Sequence, residues 1–186
     1  MKTMIPLHII SERILLSPFK EDDADKFYAY RSLPEVCKYQ GWHPKSVNEI
    51  NDFISRQMEL KVNQPGSWYQ FAIRLNQNRE NLIGDCGIHF PEKDNFQVEI
   101  GVTLAPKYQG FGFAREAVCA LLDYIFNTLN KHRVFASIDP ENSASIRMLR
   151  RLGFRKEAHF VKSLLIDDKW VDDVIYAMLR EEWNDR

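Results

Sequence analysis

A chain of 186 residues, 45% of them hydrophobic, is long enough for one compact domain with a substantial core. Its 25 Lys and Arg nearly cancel 26 Asp and Glu, which argues against a general nucleic-acid or membrane surface and for a solvated mixed one. Residues 1–16 hold no uninterrupted apolar run of the length a signal peptide or a membrane span needs, so a cytoplasmic protein is expected.

Taken in chain order, residues 14–19 read as a first strand. Glu21, Asp22 and Asp23 put negative charge at the start of a helix running to about Leu33, with Ala24, Phe27 and Tyr30 inward and Pro34 as its stop. A loop carrying Tyr39, Gly41, Trp42, His43 and Pro44 leads to a second helix. There Ser46 and Glu49 have capping-box spacing, and Ile50, Phe53, Ile54, Gln57 and Met58 make a stripe with one polar lapse. Residues 68–75, 82–90 and 96–104 alternate as strands and are joined by short polar turns, an antiparallel meander. In the last of them Val98, Ile100, Val102 and Leu104 share one face and Gln97, Glu99, Gly101 and Thr103 the other. Pro106 ends that strand. After Gln109-Gly110-Phe111-Gly112-Phe113-Ala114 the period becomes helical, with Ala114, Ala117, Val118, Leu121, Leu122, Ile125, Phe126 and Leu129 on one side.

Residues 134–139, short and apolar, read as a buried strand parallel to 96–104. Pro140, Glu141 and Asn142 introduce a helix over 143–152, with Ile146, Leu149 and Leu152 inward, cationic Arg147, Arg150 and Arg151 toward its carboxyl end and Gly153 as its stop. Strands 154–166 and 170–178 meet at Asp167, Asp168 and Lys169, residues suited to a turn. Cys37, Cys86 and Cys119 have no paired spacing and read as buried thiols. The five histidines lack ligand spacing, so no metal site is expected.

The glycine loop sits where a helix begins, and that position favours an anion. The first N–H groups of a helix have no intrahelical partner, the helix dipole adds partial positive charge, and Gly110 and Gly112 let the backbone approach a pyrophosphate. The loop lacks the Lys and hydroxyl of a Walker sequence and the third glycine of G-x-G-x-x-G, so both nucleotide-binding folds recede. Q-x-x-G-x-A at Gln109, Gly112 and Ala114, V-E-I-G-V at 98–102, N-x-x-S at Asn142 and Ser145, and L-G-F at 152–154 together resemble the GNAT superfamily of acetyl-CoA-dependent N-acetyltransferases, over nearly the whole chain. The stretches 13–24 and 168–183 are similar to its RimJ/RimL branch, whose members acetylate amino termini of ribosomal proteins.

The resemblance implies an α+β, three-layer fold: a mixed, mostly antiparallel sheet of six to seven strands, splayed in the middle and flanked by about four helices. Acetyl-CoA would lie in the splay. Main-chain groups of Ile100, Val102 and Leu104 would bond the pantetheine arm, and the N–H groups of Gln109, Gly110, Phe111, Gly112, Phe113 and Ala114 would hold the pyrophosphate. Asn142 would bond the same arm or simply cap its helix. Many members carry a tyrosine as acid where this chain has Leu149; Ser145, the branch's proposed substitute, would orient or stabilise the sulfur, unless it is an ordinary first-turn serine. Glu99 is the candidate base through water, or else a structural carboxylate. Asp173, with Asp172 as rival, would hold the acceptor ammonium. Tyr39 and Trp42 would wall the acceptor pocket, although packing accounts for them equally well, and His43 has the same standing. The expected reaction is direct transfer to a primary amine in a ternary complex, without metal, by a monomer or homodimer. A protein amino terminus is the favoured acceptor. The alternatives are a small amine (a polyamine, an aminoglycoside or an amino-acid-like toxin) and a module that binds acyl-CoA without turnover.

Overall fold

The meander folds as its alternation dictates. β3 (Ser67–Leu75), β4 (Asn78–Phe90) and β5 (Gln97–Leu104) pair antiparallel, with Tyr69, Ile88 and Ile100 in one row across them. The first turn is tighter than the polar stretch 76–81 suggests: Asn78 already pairs with Leu75, and the register slips near Arg74. In a computed structural model that describes residues 7–186, these strands form the middle of an eight-stranded mixed sheet. Residues 1–6 of the apolar-run reading lie outside the described residues. β1 (Ile9–Ile10) and β2 (Ile14–Ser17) extend the sheet at one end; β1, only two residues long, is a strand that alternation cannot reveal.

A 3-10 turn at Glu21–Asp23 opens α1 (Ala24–Arg31). Pro34 stops that helix and also starts the next, α2 (Pro34–Cys37), where its missing N–H costs nothing at the first position. α3 (Val47–Glu59) is capped by Ser46 Oγ, which accepts from Glu49 N at 3.3 Å, while Glu49 Oε2 accepts from Lys45 N rather than from the cap residue. The polar lapse in the α3 stripe has a purpose. Gln57 is buried and its amide donates to Trp68 O at 3.0 Å and accepts from Gln70 N at 2.8 Å, completing β3 where β2 no longer covers it.

Gly112, with φ of 83°, caps α4 (Phe113–Asp123), which passes into a π-helical turn at Tyr124–Thr128. β6 (Arg133–Ile138) then lies parallel to β5, as the crossover rule requires. α5 (Ser143–Arg151) follows, then β7 (Arg155–Ile166), β8 (Lys169–Leu179) and α6 (Arg180–Asn184). Asp167 and Asp168 both have positive φ, the conformation a two-residue hairpin turn demands. β8, not β7, lies beside β6, so the sheet order ends β5-β6-β8-β7.

Each face of the sheet buries its own core. On one, Val98 and Ile100 pack with Ala117, Val118, Leu121 and Leu149 of α4 and α5; on the other, Ala72 and Leu82 pack with Phe27, Ile50 and Ile54 of α1 and α3. The feature that positions the site is where the sheet parts. β5 and β6 are joined only at Gln97–Arg133, Val98–Val134 and Glu99–Phe135; beyond Glu99 each strand runs on without the other.

Candidate active site

Parting of β5 and β6 leaves main-chain groups of residues 100–104 without a strand on that side, and a groove runs there between β5, α4 and α5. A cavity of about 460 Å³ takes in Val102, Leu104, Gln109, Gly110, Gly112 and Ala114, with Asn142 and Ser145 on the facing wall. A smaller one of about 100 Å³, at the bottom of the V, takes in Ile100, Val102, Asn142, Ser145 and Leu149. Tyr39 borders both, with its hydroxyl 3.4 Å from Glu141 O and the Lys38 ammonium over its ring.

At the α4 start the first helical N–H to find a partner is that of Glu116, on Gly112 O at 3.0 Å; the preceding ones point out of the helix end. Gln109 is held by its side chain, which donates to Leu104 O at 3.0 Å. Three cations join this wall: Arg115 from α4, Arg147 and Arg151 from α5. In the sequence the two α5 arginines read as partners of the helix dipole. Their i, i+4 spacing already placed them on one face, which was the missed signal. Among the predicted loop residues Phe111 is largely solvent-exposed and Phe113 lies under the Arg13 guanidinium at 4.6 Å, so neither side chain lines the groove.

Asn142 caps α5, its Oδ1 accepting from Ser145 N at 3.1 Å. The cap uses the amide oxygen and leaves the NH2 as a donor at the cavity wall, so the two readings of Asn142 coexist. Trp42 sits elsewhere: it stacks on Phe53 with 4.8 Å between centroids and packs near Phe27, within the α1–α3 core.

On the opposite face of the sheet, at the vertex of the V, stands Glu99. Trp68, His89 and Glu99 are directly opposite one another across β3, β4 and β5 and so share a face. The Trp68 and His89 rings stack at 5.0 Å and 15°, and His89 Nδ1 is 3.5 Å from Glu99 Oε2. Burial, helped by the nearby charge of Asp173, pushes the Glu99 carboxyl up to about 7, while burial pulls the His89 imidazole down. Asp173 itself is buried and accepts from Ser137 Oγ at 2.8 Å. Its rival Asp172 is spent on the β7 irregularity, accepting from Lys162 N at 2.9 Å and bonded to His159 Nε2 at 2.8 Å. His43 bonds the carbonyls of Cys37 and Gln40 at 2.9 Å each, which ties its loop together.

Beside Glu99 the sheet is bare. Gly87 and Gly101 are opposite each other; Gly101 is exposed with only Trp68 near it, and a side chain on Gly87 would collide with Gln70. Gln70 donates to Asp85, which also accepts from Tyr30 Oη at 2.7 Å and from Arg31 Nε at 3.0 Å and Nη2 at 2.5 Å. Arg31 Nη1 in turn donates to Gln40 Oε1 at 3.2 Å, and Gln40 lines both cavities.

A sheet split after three pairs, with a cationic, N–H-rich groove on one face and a proton-poised carboxylate at the vertex, is the layout of an acyl-CoA-dependent acyltransferase. Residues 13–155 match the acetyltransferase (GNAT) domain, and the chain belongs to this family of N-acetyltransferases. It is 34% identical to the uncharacterized N-acetyltransferase p20 of Bacillus licheniformis over 94% of this chain and 97% of that one. It is also 30% identical to the [Ribosomal protein uS5]-alanine N-acetyltransferase of Escherichia coli (79% and 71% covered) and 29% to the spermidine N(1)-acetyltransferase of Vibrio cholerae (58% and 62%). A crystal structure of a GNAT-family acetyltransferase from Bacillus anthracis superposes with a TM-score of 0.85 at 30% identity, covering 95% of this chain and all of that one. The enzyme uses acetyl-CoA, and the groove fits it: free strand edge for an amide-bearing arm, helix-start N–H groups and three arginines for phosphates.

Proposed function

We propose that the protein acetylates a protein amino terminus, as the RimJ/RimL branch does, with Glu99 as its base. The observation that carries this reading is the position of Glu99 at the vertex, on the last residue pair before β5 and β6 part. Glu99 takes a proton from the acceptor ammonium, directly or through water, and the free amine then reaches the thioester carbon through the V. An α-amino group, with a pKa near about 8, is a closer match than a lysine, near about 10.4, to a carboxyl poised at about 7. Main-chain N–H groups of Ile100, Val102 and Leu104 on the open edge hold the pantetheine arm, and one of them stabilises the developing oxyanion. N–H groups of Gln109 to Ala114, with Arg115, Arg147 and Arg151, hold the phosphates. Asn142 donates to the arm, and the Ser145 hydroxyl bonds the departing sulfur. Acetyl-CoA, when bound, supplies the activated acyl group.

The exposed floor at Trp68 and Gly101 supports a macromolecular acceptor, since a chain end can be laid across an open surface. Asp173 contributes negative charge beside Glu99 and attracts the ammonium; Tyr39 borders the junction of arm and acceptor. The relative named for spermidine keeps a small polyamine as the second reading. Free-thiol release from acetyl-CoA distinguishes the two. Peptides beginning with Ala or Ser are expected to support turnover; release with spermidine alone moves the acceptor to small amines, and binding without release on any amine overturns the base assignment.

A further inference from the structure

One proton must leave the site in every cycle, because an ammonium and a thioester give an amide, a thiol and H⁺. Glu99 receives that proton, yet it is mostly enclosed, its side chain 22% exposed. His89 lies beside it and is the more exposed of the two. Its Nδ1 is 3.5 Å from Glu99 Oε2, its side chain is 30% exposed, and Trp68 stacked at 15° holds the ring in plane. The groups facing Glu99 are His89 from β4 and Asp173 from β8, while Arg133 from β6 is turned to Gln97 and Glu157. Among the described residues, Glu99 is the oppositely charged partner that His89 has within 4 Å, and the ring stacked on it, Trp68, is neutral.

We propose that His89 is the positioning residue of the base: it orients Glu99 toward the acceptor and passes the proton that Glu99 collects on to solvent, with Trp68 fixing the ring. The proposal rests on the reading of Glu99 as base. The steps balance. Nitrogen loses its first proton to Glu99 and attacks carbon; the C–S bond breaks and its electron pair stays on sulfur, which takes the second nitrogen proton. Glu99 then hands the first proton to Nδ1 of neutral His89, and Nε2 releases a proton to water. A neutral imidazole next to a neutral carboxyl suits this exchange, because no ion pair traps the proton.

His89→Gln and His89→Ala, with wild type and Glu99→Gln alongside, test it on the accepted amine. His89→Gln should lower kcat by about tenfold or more with KM for acetyl-CoA unchanged, and free imidazole should restore part of the loss in His89→Ala. A side chain that only packs would not respond to added imidazole. Independently of turnover, the His89 ring signals in a pH titration by NMR should carry a second inflection near pH 7 that disappears in Glu99→Gln. Wild-type kcat in a folded His89→Gln, with Glu99→Gln inactive, overturns the role of His89 alone; wild-type turnover in Glu99→Gln overturns the base and this proposal together.

Discussion

A single carboxyl, proposed above as the base, also sets part of the stability. Glu99 ionises in water at 4.5 and in the fold at about 7, so between those values the folded chain holds a proton that the unfolded chain has lost. The fold is therefore favoured at low pH, and the advantage disappears as pH rises through about 7. Glu99→Gln removes that dependence: the variant should gain about 2 kcal/mol over wild type at pH 8 and almost nothing at pH 4.5, read from urea midpoints at both. Equal gains at both pH values would mean that Glu99 ionises as it does in water. The same variant should lose about 10²-fold or more in kcat/KM and with it the limb near pH 7 in the wild-type profile. Ser145 makes a narrower demand. Its N–H is fixed by Asn142 Oδ1, which leaves its hydroxyl to the cavity wall. Ser145→Ala should lower kcat more than it weakens acetyl-CoA affinity, and wild-type turnover would remove the hydroxyl from the mechanism.

At the scale of elements, the loop between β5 and α4 joins two requirements in one residue. Gly112 caps α4 in the left-handed region, where any side chain costs about 1 kcal/mol, and a Cβ there would stand 3.5 Å from Arg13 Nη2 beside the N–H groups proposed to hold the phosphates. Gly112→Glu should abolish acetyl-CoA binding by calorimetry while costing little more than that backbone penalty in stability. Undiminished affinity would move the phosphate site. This loop was readable in the sequence because glycine spacing and the change from period two to period 3.6 are local signals. So were the meander, the β5-to-β6 crossover and the turn at Asp167 and Asp168. Signals fail where partners are far apart in the chain. Nothing near residue 89 says that His89 faces Glu99 and Trp68, and nothing in residues 154–178 says that β8 rather than β7 docks on β6. Trp42 shows the same limit: the sequence leaves a pocket wall and packing open, and nothing in the loop says that Phe53, from another element, stacks on it.

At the scale of the whole molecule, one half of the parted sheet, β1 to β5, carries α1 and the loop that reaches the cavities. On its α1–α3 face a polar network ties α1 to β3 and β4. Asp85, fully buried on β4, accepts from Tyr30 and Arg31 of α1 and from Gln70 of β3, and Arg31 extends the network to Gln40 at the cavities. Burial, followed by the Asp85 charge, drives the Tyr30 hydroxyl pKa well above its ordinary value, which keeps it a neutral donor. Removing one charge leaves the other buried alone, so Arg31→Met or Asp85→Leu should each cost about 3–5 kcal/mol by chemical unfolding. The double variant Arg31→Met/Asp85→Leu should recover most of that loss, because two apolar groups of similar size need no solvation. It should not recover function. With the network gone, Gln40 and Gln70 lose the bonds that hold them beside the V, and KM for the amine should stay several-fold raised even though the fold is restored. If stability and KM returned together, the network would serve folding only; a restored fold with impaired acceptor binding would mean that the buried pair is retained for where it puts two amides.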